Sequence, residues 1–148
     1  MAHKGSIPLK IRAGQATDSL SLRALFLKAR RQAWPWLDST CWQEEDFDRV
    51  TADEQLWVAE QDGVVLGFAS VWIPDNFLHN LFVSPDQQGL GVGKALLTHV
   101  QQAFTATGSL KCLVKNRHAV SFYTRQGWQI ASQHPGPDGD YYLMRYPK

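Results

Sequence analysis

The sequence lacks the features that typify a membrane protein, a disulfide scaffold or a zinc fold. No apolar run approaches the roughly 18 residues that a membrane span needs, and the N-terminal stretch has no apolar core typical of a signal peptide. Its two cysteines, Cys41 and Cys112, are isolated and show no CxxC or Cys/His spacing. The net charge of +1 gives no general argument for nucleic acid. We therefore expect a cytoplasmic protein with no metal, nucleic-acid or membrane partner.

What the sequence has is an ordinary globular composition with unevenly placed charges. With 148 residues, 44% of them hydrophobic, we expect one domain spanning 1–148. Seven of the 14 acidic residues lie between positions 38 and 54, opposed there by Arg49 alone. This acidic segment contains Asp38, Glu44, Glu45, Asp46, Asp48, Asp53 and Glu54. It indicates either a solvated helix face or a wall that attracts a cationic ligand.

Hydrophobic periodicity predicts alternating strands and helices. Strands are predicted at 9–13, 56–61, 64–72, 77–83, 110–114, 128–132 and 141–146. Helices are predicted from Thr17 or Asp18 to Ala33, from a Thr40–Gln43 capping box to Val50, over 92–103 and over 119–126. Asp62-Gly63 predicts a tight hairpin, and 77–114 reads as a β-α-β unit with parallel strands. These signals together predict an α/β (α+β) fold: a mixed sheet with helices on both faces.

A glycine-rich turn precedes the third predicted helix in "SPDQQGLGVGKALLTHV", residues 84–100. A Walker P-loop would need glycine at position 88 and Ser or Thr at 95, but the chain has Gln88 and Ala95. A dinucleotide-binding G-x-G-x-x-G is excluded because Gly89, Gly91 and Gly93 stand at every second position. What remains is a turn whose backbone N–H groups can approach an anion at a helix N-terminus, or simply a tight strand-to-helix turn.

A second segment, "NRHAVSFYTRQGW" at 116–128, allows a more specific interpretation of the glycine-rich turn. The run from Gln88 to Gly93 matches a Q/R-x-x-G-x-G/A signature, and the later segment matches an N-x-x-A-x-x-F-Y-x-x-x-G motif. Together they resemble the GCN5-related N-acetyltransferase (GNAT) family, especially its small bacterial single-domain members. Trp128 stands where the family usually has phenylalanine.

The resemblance implies a GNAT-like fold, with a mostly antiparallel sheet of six or seven strands in which parallel strands four and five splay apart. It implies acetyl-CoA as cofactor and no metal. The pyrophosphate would lie on the residues of the turn: Gln88, Gly89, Leu90, Gly91, Val92, Gly93 and Lys94. The pantetheine arm would pair with the backbone of Leu81, Phe82 and Val83, with Asn116 opposite and Tyr123 near the sulfur.

The implied reaction is direct acyl transfer to an amine through a tetrahedral intermediate, whose oxyanion the N–H of Phe82 or Val83 can stabilise. Tyr123 is the candidate acid for the leaving thiolate, although its ring can also be simple core. His79 is the candidate base; a water chain ending at Glu60 or at an acid of the second helix is the alternative. Strict alternation groups His79 with Phe77 and Leu81 on one face.

The acceptor is expected to be a primary amine, either a small cationic amine or a lysine or N-terminal amine of a protein. Trp34, Trp36, Trp42 and the acidic segment lie where the family builds one pocket wall. Cys112 is interpreted as a buried strand thiol rather than a nucleophile, and His99 as a packing residue. A non-catalytic acyl-CoA-binding or sensor module is the alternative function, and the chain is expected to be a monomer or homodimer.

Overall fold

A computed structural model describes residues 8–87 and 90–148 of the chain. In these two stretches the strands are β1 (Lys10–Ala13), β2 (Gln55–Gln61), β3 (Val64–Trp72), β4 (Phe77–Val83), β5 (Gly108–Leu113), β6 (Gln129–His134) and β7 (Tyr141–Tyr146). The α-helices are α1 (Ser19–Ala33), α2 (Asp46–Val50), α3 (Val92–Ala103) and α4 (Arg117–Arg125). The element order is therefore the predicted one.

The strands form one seven-stranded sheet in the order β1-β2-β3-β4-β5-β7-β6. Every neighbouring pair is antiparallel except β4 and β5, which are parallel. The mixed, mostly antiparallel sheet and the parallel β4–β5 pair are thus confirmed.

Two separate apolar cores lie on the two faces of the sheet, because successive strand residues alternate between them. Val58 and Phe68 pack with α1 and with Phe47 of α2, whereas the adjacent Ala59 and Ala69 pack with α3. Helices cover both faces, as predicted. The α1–α2 core is aromatic: the Phe26 ring lies edge-on to the rings of Phe47, Phe68 and Phe82.

The strongest turn signals are confirmed. Asp62 and Gly63 have φ values of 55° and 78°, so both central residues of the β2–β3 hairpin adopt the left-handed conformation that a type I′ turn requires. Gly127 follows α4 with a φ of 96°, in a conformation that glycine adopts without steric cost.

The second helix is shorter than predicted, and its capping box is wrong. Asp38, not Gln43, is the partner of Thr40: its Oδ1 accepts hydrogen bonds from the Thr40 N–H and hydroxyl. The Gln43 N–H instead donates to Oδ2 of Asp46, and the helix begins at Asp46. The first helix also lacks its predicted side-chain cap, because the Asp18 carboxylate accepts from the Gln15 N–H and from Arg12.

Candidate active site

Strands β4 and β5 separate almost as soon as they meet. Their register contains one pair, Phe77 with Ser109. Equal steps along the two parallel strands bring Leu81 level with Leu113, beyond the point where the strands pair. The far edge of each strand is hydrogen-bonded, β4 to β3 and β5 to β7. A wedge-shaped cleft therefore opens inside the sheet between two fixed walls.

The antiparallel ladder decides which backbone groups of β4 face this cleft. The Ser84 N–H donates to the Leu66 carbonyl at 2.8 Å, and Phe82 is in register with Phe68. Because hydrogen-bonding direction alternates along an antiparallel strand, the N–H of Phe82 is directed at β3. The N–H and C=O groups of Leu81 and Val83 are directed at the cleft. Of the three residues predicted to pair with the pantetheine arm, Leu81 and Val83 therefore present their backbone groups to the cleft. Of the two predicted oxyanion donors, Phe82 and Val83, only the N–H of Val83 is directed at the cleft.

The described part of the glycine turn is open and preorganised at the N-terminus of α3. Gly91 has a φ of 78° and immediately precedes the helix, and a Cβ placed there would meet no atom of the other described residues beyond its chain neighbours within 4 Å. Lys94 is exposed on the first turn, where the helical N–H groups have no intrahelical partners. Gln88 and Gly89 lie outside the described residues. An anionic group therefore finds free space, unpaired amides and a cation here, which fits the pyrophosphate of a CoA ester.

Asn116 lies at the N-terminus of α4, on the β5 side of the cleft. Its Oδ1 accepts from the Ala119 N–H at 3.2 Å and caps the helix. Within the described residues, no partner for its Nδ2 is present. The side chain therefore has a structural role through its oxygen and two N–H donors available for a ligand.

Tyr123 is packed by aromatic rings, with centroids 5.3 Å from Phe122 and 6.0 Å from Trp128. Burial, with a smaller contribution from the nearby Cys112 thiol, raises the pKa of the Tyr123 hydroxyl well above its usual value. Burial also raises the pKa of Cys112 to about 12. Both groups therefore keep their protons at neutral pH, so Cys112 is a buried thiol and not an activated nucleophile.

His79 occupies a β-bulge that breaks the predicted alternation. Asn80 pairs with Ser70 and Leu78 with Val71, so His79 is the extra residue on β4. Leu78 packs in the α3 core while Phe82 packs in the α1–α2 core, although strict alternation would place both on one face. The His79 ring meets Glu54, whose Oε2 lies 2.7 Å from Nδ1.

The connection between α1 and α2 forms an aromatic wall over Phe82. The Trp34 ring lies 5.6 Å from the Phe82 ring and 6.2 Å from that of Trp42. Arg30 fixes this wall from behind, because its guanidinium lies 4.5 Å from the ring centroids of both Phe26 and Trp42 and donates to Asp46. No ring contact of Trp36 occurs within the described stretches.

Two of the seven acids of the acidic segment pair with arginine in this arrangement. Asp48 pairs with Arg23, and Asp46 pairs with Arg30 and Arg49. Glu44 and Glu45 are exposed. Asp46 and Asp48 therefore anchor α2 to α1, and arginine neutralises these two of the seven negative charges.

The acetyltransferase (GNAT) family model matches residues 21–128, which include the cleft, the glycine turn and α4. The chain belongs to the acetyltransferase (GNAT) family. This GNAT chain is similar to the peptidyl-lysine N-acetyltransferase YiaC of Escherichia coli (strain K12), with 33% identity over 123 residues that cover 81% of this chain and 83% of YiaC. It is also similar to the [ribosomal protein bS18]-alanine N-acetyltransferase of the same strain, with 28% identity over 137 residues that cover 84% and 88% of the two chains.

The GNAT fold is also found among solved structures. The PaiA N-acetyltransferase from Thermoplasma acidophilum, solved in complex with coenzyme A, superimposes with a TM-score of 0.77 at 17% identity. The match covers 96% of this chain and all of that one. As a GNAT member the chain is an acyltransferase of the N-acetyltransferase type.

None of the helices in residues 8–87 and 90–148 has the length and apolar character that crossing a membrane requires.

The sequence did not single out two residues of this GNAT site, Glu54 and Arg30. Glu54 was only one member of the acidic segment, and Arg30 was only a basic residue of the first helix. One feature of the sequence could have indicated Glu54. It immediately precedes β2, and β2 is separated from β4, the strand of His79, by β3 alone. Glu60, the acid considered as an alternative in the sequence, lies six residues after Glu54 along β2, and roughly 20 Å from it. Its carboxylate pairs with Arg12 of β1.

Proposed function

We propose that this enzyme transfers the acetyl group of acetyl-CoA to the ε-amine of a lysine in a protein. The observation that carries the proposal is the cleft between β4 and β5, with the free amides of Leu81 and Val83 on one side and an anion-binding turn at its end. Acetyl-CoA, when bound, supplies the acetyl group in activated form as a thioester.

The cofactor is held at three places. Leu90, Gly91, Val92, Gly93 and Lys94 supply the amides and the cation for its pyrophosphate, together with Gln88 and Gly89 of the same motif. Leu81 and Val83 hydrogen-bond the arm, and Asn116 donates from the opposite wall through Nδ2. The backbone of Phe82 is engaged with β3 and does not bind the arm. Its ring is part of the aromatic wall.

His79 removes the proton from the incoming amine. A lysine ammonium has an ordinary pKa of about 10.4, so it arrives protonated and cannot attack. The His79 side chain is 41% exposed, and Nδ1 is engaged with Glu54, which leaves Nε2 for the acceptor. Imidazole is suited to this role because it exchanges protons near neutral pH.

Tyr123 is the proton donor on the opposite side of the cleft. Its raised pKa keeps the phenol protonated, so it serves as an acid and not as a base. In the described residues its hydroxyl makes no hydrogen bond. A phenol held in an apolar aromatic cage with a free hydroxyl is positioned to protonate a leaving group.

A protein lysine is favoured over a free polyamine as the acceptor. The arginine pairs of Asp46 and Asp48 reduce the negative potential that would attract a polycation. The rings of Trp34, Trp42 and Phe82 instead suit the aliphatic stem and single ammonium of a lysine side chain. YiaC is named as a peptidyl-lysine N-acetyltransferase, which supports the same acceptor class.

A competition among acceptors tests this choice. The enzyme is incubated with acetyl-CoA and equal concentrations of three acceptors: an N-terminally blocked peptide with one lysine, a lysine-free peptide with a free N-terminal alanine, and spermidine. Mass spectrometry then measures each product. We expect acetylation of the lysine peptide to be at least tenfold faster than that of the others. Preferential acetylation of spermidine or of the alanine peptide would overturn the proposed acceptor.

A further inference from the structure

Glu54 and His79 form an acid–imidazole pair at the bulge of β4. Glu54 Oε2 and His79 Nδ1 are 2.7 Å apart. The carboxylate side chain is 9% exposed and the imidazole 41% exposed, so the acid lies behind and the ring in front. His79 is the extra residue of the β4 bulge, and Glu54 immediately precedes β2.

The chemistry of the two groups fixes the imidazole tautomer. An ionised carboxylate only accepts hydrogen bonds, so Nδ1 of His79 must carry the proton that is shared with Glu54. In neutral imidazole the other nitrogen, Nε2, then has a free lone pair. When Nε2 takes up a proton, the resulting positive charge lies beside the carboxylate and is stabilised by it.

The second oxygen of Glu54 argues against a purely structural role. Oε1 is buried and has no hydrogen-bond partner among the described residues. A buried acceptor without a partner destabilises the folded protein. The fold therefore supplies a hydrogen-bond partner to one oxygen of Glu54 and not to the other, and that one partner is an exposed imidazole.

We propose that Glu54 is a positioning residue that orients His79 and stabilises its protonated form during acetyl transfer. The inference rests on the proposed function, in which His79 is the base. In this role Glu54 acts through the imidazole that it contacts. Within the described residues, Glu54 is the only charged group in contact with the His79 ring, and Phe77, with its ring centroid 6.0 Å away, is its aromatic neighbour.

Kinetics of single and double variants test this coupling. Glu54→Gln keeps the size and removes the charge, and we expect kcat/KM for the lysine peptide to fall about tenfold, with the acid limb of its pH profile moved to lower pH. His79→Ala is expected to lower kcat/KM about 100-fold. The double variant should be no slower than His79→Ala, because Glu54 acts only through the ring. Asp18→Asn, which removes the charge from a comparably buried carboxylate paired with Arg12, is the control and should keep the wild-type pH profile.

The tautomer is measured in the free protein, independently of turnover. Nitrogen-15 NMR of the imidazole should show the Nδ1–H form in the wild type and a mixture of tautomers in Glu54→Ala. If that variant does not fold, Glu54→Asp serves instead and should keep the Nδ1–H form with partial activity. An unchanged pH profile in Glu54→Gln, a further loss in the double variant, or an Nε2–H wild-type tautomer would each overturn the role of Glu54. Full activity of His79→Ala would instead overturn the base in the proposed function.

Discussion

Phe77 on β4 pairs with Ser109 on β5, and beyond that pair the described parts of the two parallel strands share no further register. This relationship generates the functional cleft. The fold leaves the backbone edge of one internal strand unpaired where a β-sheet would normally be continuous. The unpaired groups of Leu81 and Val83 are costly unless a ligand or water satisfies them, so the cleft is prepared for an extended, hydrogen-bonding ligand.

Gly93→Ala should stabilise the free enzyme and weaken its binding of CoA. A Cβ on Gly93 would lie 3.5 Å from Val83 Cγ2 and 3.7 Å from Phe122 Cζ, which are ordinary contacts. Alanine is also favoured over glycine in a helix by up to about 1 kcal/mol. The same methyl group obstructs close approach of a pyrophosphate to the amides, so we expect the Kd for CoA to rise at least tenfold. Urea unfolding and calorimetric titration measure the two effects.

Thr98→Ala is the matched control, since Thr98 is exposed on the same helix. It should stabilise the protein by about 0.5 kcal/mol and leave CoA binding unchanged. If Gly93→Ala binds CoA as tightly as the wild type, the turn does not hold the pyrophosphate.

Tyr123→Phe should lower kcat about 100-fold or more and leave the Kd for acetyl-CoA unchanged. The ring contacts with Phe122 and Trp128 are retained by phenylalanine, so only the proton is lost. Stopped-flow or steady-state thiol release measures the rate. Tyr141→Phe is the control, because it also removes a phenol hydroxyl and keeps the ring that lies beneath Lys111. This variant should retain full activity. Equal rates for both variants would remove Tyr123 from the mechanism.

Trp42→Ala should raise the KM for the lysine peptide severalfold without changing the affinity for acetyl-CoA. Trp42 supports Trp34 and is itself held by Arg30, so its removal loosens the wall that faces Phe82. Trp36→Ala removes the same type of side chain from the same connection, at a position that makes no ring contact with the described residues, and its KM should stay near the wild-type value. A larger effect of Trp36→Ala would place the acceptor on a different surface.

The parts of the fold that were predictable are those specified locally. Asp62-Gly63 determines its hairpin because both residues adopt positive φ at low cost. The bulge at His79 was not predictable, because "FLHNLFV" contains no glycine or proline to mark it. The start of α2 was also missed, because Asp38 takes the partner assigned to Gln43 and because Arg30, 16 residues earlier in the chain, holds Asp46.

For the site, the motifs indicated the elements but not the pairing of individual side chains. Asn116 and Tyr123 were predicted as site residues because the family signature contains them, and the structure places them on the β5 side of the cleft. Glu54 could not be singled out among seven clustered acids, because its partner, 25 residues away, is determined by tertiary structure. The same holds for Asp48 and Arg23.

Asp46 makes stability depend on acid pH. A hydrogen bond from the Gln43 N–H, followed by that from Arg30, lowers the pKa of Asp46 from 3.8 to about 2. The carboxylate therefore stabilises the fold fully above about pH 4, and this contribution is lost as the pH falls toward 2. We expect Asp46→Asn to lower the free energy of unfolding by about 1–2 kcal/mol at pH 7 and by much less near pH 2. Urea unfolding at both pH values checks this, and an equal loss at both would contradict it.

The central claim is acetyl transfer from acetyl-CoA to a lysine amine, and the most direct measurement is the yield of both products from one reaction. Purified enzyme, acetyl-CoA and the blocked single-lysine peptide are mixed, and free thiol and acetyl-lysine are quantified together over time. The account predicts equal amounts of both, with repeated turnover that falls at least 100-fold in Tyr123→Phe. Tight binding of acetyl-CoA with no thiol release above the enzyme-free rate, for any amine offered, would contradict it.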